Sequence, residues 1–90
     1  MKKAKIRRVY KTDKANAITI IKTPSNMYAV RYVSIENGLV YPSSSINGIK
    51  SLKEAKNIVK RTSRTARLGF LSKQNKETIL TGKYLQQRIK

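Results

Sequence analysis

The chain has 90 residues and sets 21 lysines and arginines against four acids, a formal charge of +17, with neither cysteine nor histidine. That length makes one small domain with a thin core, and the missing Cys and His exclude a disulfide framework, a thiolate zinc site and a nitrogen-ligated metal. Like charges repel in the compact state, so an imbalance of this size implies a polyanionic partner, with nucleic acid the leading candidate.

The acids are Asp13, Glu36, Glu54 and Glu77, too scattered to hold a divalent cation for hydrolysis. No pattern singles out one lysine as a catalytic base, so the expectation is a protein that is not an enzyme and takes no cofactor. The longest apolar runs, such as Ala17-Ile18-Thr19-Ile20-Ile21, fall far short of the roughly 18 residues of a membrane span. Met1-Lys2-Lys3-Ala4-Lys5-Ile6 has the charge of a signal-peptide start, but no apolar stretch follows it. A cytoplasmic protein with no membrane partner is expected.

In chain order, residues 1–16 read as an arm or a weak strand, with some strand character at residues 5–10 and a polar break at residues 11–16. Residues 17–46 read as a three-stranded meander. Its first strand, residues 17–22, is rich in β-branched side chains and closes on the turn Thr23-Pro24-Ser25-Asn26. Residues 27–35 form the strongest strand, and Asn37-Gly38 behind it tolerates the positive φ of a tight hairpin. Leu39-Val40-Tyr41 starts the returning strand; Pro42, lacking a ladder donor, belongs on an edge or at a bulge, and residues 43–48 lead the chain out of the sheet.

The second half changes period. Ser51-Leu52-Lys53-Glu54 fits a capping box, so a helix is expected over residues 51–68. Leu52, Ala55, Val59, Thr62 and Ala66 make its apolar stripe. Lys53, Lys56, Lys60, Arg64 and Arg67 recur on the adjacent face with no acids at i,i+4 to pair them. Gly69 ends the helix, Phe70 and Leu71 return to the core, and residues 73–90 form a helical extension, with apolar positions between about Lys76 and Ile89. The fold class is α+β: a three-stranded antiparallel sheet backed by one amphipathic helix, plus that extension, in a single domain.

Tyr28, Val30, Arg31 and Tyr32 on the central strand, with Ser51, Glu54 and Ala55 at the helix start, resemble the AP2-like and integrase arm-type DNA-binding domains. The resemblance covers residues 18–65. It departs where family members carry Gly-Phe-x-Thr before the helix and this chain has Gly48-Ile49-Lys50-Ser51. It implies a sheet inserted in the major groove and a helix behind it.

By the two-residue period, Tyr28, Val30 and Tyr32 share the face that packs on the helix, while Ala29, Arg31 and Val33 share the other. That places Arg31 outward, able to bond guanine, with Lys22 as neighbour. The helix cations Lys53, Lys56, Lys60, Arg61, Arg64 and Arg67 are candidates for phosphate contact, and Arg7 and Arg8 for backbone contact from the arm. Tyrosines stacking on unpaired bases would instead favour single strands or RNA. The reading is a nucleic-acid-binding protein, duplex DNA first. Its rivals are an RNA-binding ribosome-associated component and an inhibitor or adaptor, of the phage or mobile-element kind, that occupies the nucleic-acid channel of an enzyme or an acidic protein surface.

Overall fold

Five consecutive residues of one strand, Ala17 to Ile21, are all buried, so this strand has no solvent face. The computed structural model, which describes residues 4–13, 15–69 and 71–81, shows why: helices cover the sheet on both sides. The elements run β1 (Lys5–Asp13), β2 (Asn16–Lys22), β3 (Tyr28–Glu36), β4 (Leu39–Ile49), α1 (Leu52–Thr62), β5 (Arg67–Leu68) and α2 (Lys73–Thr81). The strands form one antiparallel sheet in the order β4-β3-β2-β1-β5. The α+β class stands, with five strands in place of the expected three.

Side chains alternate faces along a strand, which splits the core in two. Ile18, Ile20, Val30 and Ile49 pack with Ala55 and Val59 of α1, joined by the half-buried Tyr10, Tyr28 and Tyr32. On the opposite face Val9, Ala17, Ile21, Val33 and Val40 pack with Leu71 and with Ile79 of α2. Neither layer is large, and each aliphatic side chain fully removed from water contributes about 1.5–3 kcal/mol.

Local chemistry sets the turns. Asn37 (φ 52°) and Gly38 (φ 76°) both take positive φ and close the Glu36–Leu39 pair in a two-residue hairpin. Pro24 sits inside the β2–β3 turn, where the Asn26 N–H donates to the Thr23 carbonyl at 3.1 Å. Pro42 lies on an edge strand beside a bulge, the position available to a residue without an N–H.

Four expected boundaries move. Residues 5–13 are a full strand between β2 and β5, and residues 43–48 stay in β4, which runs to Ile49. Helix α1 starts at Leu52, with Ser51 accepting from the Glu54 N–H at 3.1 Å, but stops at Thr62. Ser63 turns extended, so that Arg67 and Leu68 can pair with β1; Ala66 still reaches the α1 core from outside the helix. Gly69, expected to end the helix, instead donates its N–H to the Val9 carbonyl at 3.0 Å. Helix α2 starts at Lys73 behind Ser72, whose hydroxyl accepts from the Asn75 N–H at 3.1 Å. The rest of the expected extension, residues 82–90, lies outside the described residues.

Candidate nucleic-acid interface

Helix α1 lies on the sheet through Ala55 and Val59, and this fixes where its cations point. Three or four residues per step keep Lys53, Lys56 and Lys60 on one flank, and the turn after Ser63 brings Arg64 round to the same side. These four side chains line a groove of about 640 Å³ whose other walls are Tyr10 of β1, Asn57 and Val59 of α1, Ser63 and Ala66. Glu54 falls on the solvent side of α1 with Arg61, seven residues further along the helix. Arg61 therefore does not join the groove.

Beyond Tyr10 the basic surface continues around the β1–β5 edge. Lys11 and Arg67 stand directly opposite each other in that ladder, and both line a neighbouring hollow with Thr65 and Asp13. Like charges at directly opposed positions destabilise a sheet pair. Asp13 is engaged locally: its carboxylate accepts from the Ala15 N–H at 2.7 Å and from the Asn16 side-chain amide at 3.1 Å. Those two donors hold its carboxyl below the ordinary carboxylate value.

Arg7 is the extra residue of a bulge between Ile6 and Arg8, and both arginines line a third hollow, near Lys76 and Leu68. Lys22 stands apart from this group, opposite Lys5 in the β1–β2 ladder, a second like-charge pair. Among the described residues, Arg31 is the one basic side chain with a hydrogen-bond acceptor. No three acidic side chains come together among them to hold a metal ion.

Arg31 corrects the expectation of an outward reader. Tyr28 and Tyr32 do pack toward α1, as the alternation required. But α2 lies on the face that Arg31 shares, and Arg31 is half-buried with its guanidinium donating to the Ile79 carbonyl. The Ile79 side chain is fully buried against that face. Sequence reasoning took α2 for an appendage and so left this face open. The groove wall formed by Tyr10 was also missed; the signal for it was the alternation Arg8, Tyr10 against Ile6, Val9 across a bulge that spacing alone does not reveal.

Comparison of the chain with protein-family models, with curated proteins and with solved structures gives no match. Among the described residues no helix is long and apolar enough to cross a membrane.

Proposed function

We propose that this protein binds nucleic acid without chemistry of its own, holding the phosphate backbone of duplex DNA along the α1 flank and the β1–β5 edge. The observation that carries the reading is the convergence of Lys53, Lys56, Lys60 and Arg64 on one groove with no acid among its walls. A cluster of this kind is costly until an anion neutralises it, and phosphate contacts release counterions as well. The opposed Lys11 and Arg67 add to the same demand.

Duplex is favoured over a single strand by the tyrosines. Among the described residues Tyr10, Tyr28, Tyr32 and Tyr41 are each half-buried, and the first three pack against the α1 core, so these side chains leave little surface to stack on unpaired bases. The AP2-like resemblance would insert the sheet in the major groove, but α2 lies on the face that would enter. Contacts from α1 and the sheet edge position a protein on the backbone and carry little sequence information.

The test is fluorescence anisotropy against matched duplex DNA, single-stranded DNA and structured RNA across a salt series. Four to six phosphate contacts give a slope of log K against log salt of about −4 to −5 on duplex, and specific and random duplex sequences should bind alike. Tighter binding to RNA moves the reading to a ribosome-associated component. A slope near zero removes the electrostatic mechanism.

A further inference from the structure

The two edges of the sheet differ in charge. One edge, β1 with β5, carries Arg7, Arg8, Lys11 and Arg67. The other edge is β4, roughly 20 Å away at four strand spacings of about 4.8 Å, and between Glu36 and Lys50 it contains no charged residue. Natural sheets blunt open edges with lysine, with proline and with bulges; β4 has Pro42 and two bulges, which confine any pairing to a short stretch, but no lysine. A chain with 21 lysines and arginines places none on this one.

We infer that the β4 edge pairs antiparallel with the β4 edge of a second copy of this chain. The charge argument selects that occupant. A partner of opposite charge is drawn to the basic surface, whereas a partner that is itself +17 approaches closely only where neither molecule carries cations. Pairing across a two-fold axis also leaves both basic edges at the far ends of a continuous sheet, where their repulsion is least.

The register limits the contact. In the two-residue hairpin Leu39 turns its backbone groups toward β3, so Val40 turns its own outward, and so does Pro42, which costs no ladder bond. A bulge follows Pro42, and another, with Gly48 at φ 72°, precedes Ile49. Among the described residues the stretch free for pairing is 43–47, centred on Ser45, whose outward N–H and C=O face the partner's. The side chain of Ile46 is 41% exposed beside this stretch, outside both core clusters. Pairing about Ser45 sets Ile46 of each copy opposite Ser44 of the other and covers it. So short an interface gives a weak, concentration-dependent dimer.

The inference stands apart from the nucleic-acid reading, and its test uses nuclease-treated protein in high salt, which removes bridging ligand and screens repulsion. Sedimentation equilibrium across a concentration series should show a monomer–dimer equilibrium of the 10.3-kDa chain. Ile46→Lys sets a cation opposite Ser44 of the other copy and brings the two new lysines to diagonal positions across the seam, so it should weaken association at least tenfold, with circular dichroism unchanged. Ser45→Pro, which removes the outward donor, should do the same, and the Ser45 amide should gain hydrogen-exchange protection as wild-type concentration rises. A monomer at every concentration overturns the proposal, as does a dimer that both variants leave intact.

Discussion

Arg31 on β3 donates to the main-chain carbonyl of Ile79 on α2, so the one basic side chain of that strand is occupied within the protein. A cation near the last turn of a helix also meets the negative end of its dipole. Hydrogen bonds to charged groups contribute about 1.5–3 kcal/mol when buried, and for a half-buried partner the lower part of that range applies. Arg31→Ala should therefore lower unfolding free energy by roughly 1–2 kcal/mol, with Arg31→Lys recovering part of it. Measured by urea denaturation and anisotropy together, the folded Arg31→Ala variant should keep its nucleic-acid affinity. A selective loss of affinity for one duplex sequence, at unchanged stability, would return Arg31 to the role of a base reader.

Ile79 tests the second core layer. It is fully buried among Val9, Ala17, Val33, Val40 and Leu71, although it lies 30 residues from the nearest strand of the meander in sequence. Truncating such a side chain removes its transfer energy and leaves a cavity, at a cost of about 2–5 kcal/mol. A domain of this size has little to spare, so Ile79→Ala should show a large drop in melting temperature. If α2 were an appendage, the substitution would change melting by no more than an exposed-site control such as Lys73→Ala.

Much of this was legible in the residues, for identifiable reasons. Asn37-Gly38 and Ser51 carry local chemistry that admits few alternatives, and both act where the sequence placed them. The alternation in β3 correctly sent Tyr28, Val30 and Tyr32 to α1. What the reading lost was the second face. Ala17-Ile18-Thr19-Ile20-Ile21 does not alternate, and a strand apolar on both sides needs cover on both sides. Thr19, the polar member of the run, is fully buried with its hydroxyl donating to the Arg31 carbonyl at 3.2 Å. Strand β5 was beyond reach because two exposed residues, Arg67 and Leu68, pair with β1 through tertiary geometry and carry no strand pattern of their own. For the site, the helical period put Lys53, Lys56 and Lys60 on one flank and left Arg61 off that stripe, but it carried Arg64 and Arg67 along a helix that ends at Thr62; Arg64 reaches the groove through the turn after Ser63, and Arg67 goes to β5.

Asp13 makes stability depend on pH in the acid range. Its two donors, first the Ala15 N–H and then the Asn16 amide, stabilise the carboxylate and lower its value from the ordinary 3.8. A lowered folded value means that the unfolded chain binds the proton more readily. The stabilisation is thus fully present above about pH 5 and is lost as pH falls through 3.8 toward the folded value. Melting temperature followed from pH 6 to pH 2.5 should decline in this window, and Asp13→Asn should flatten the decline. The effect should be modest, since the group is fully exposed. An identical pH profile in both proteins would separate the turn from the acid response.

The groove predicts different consequences for cations on the two sides of one helix. Lys53, Lys56, Lys60 and Arg64 line it, whereas Arg61 shares the solvent side with Glu54. Each lost phosphate contact lowers the salt slope on duplex by about 0.9, so Lys60→Gln or Arg64→Gln should weaken binding and reduce the slope by nearly one unit. Arg61→Gln, which removes the same formal charge from the helix that carries Lys60, should change the slope by a small fraction of that. Lys53→Gln combined with Lys60→Gln should reduce it by about two units, because neutralised contacts add in this relation. Losses should be equal on specific and random duplex, as expected of groups that touch only the backbone. If Arg61→Gln matched Lys60→Gln, binding would follow net charge alone and the groove would have no particular part in it.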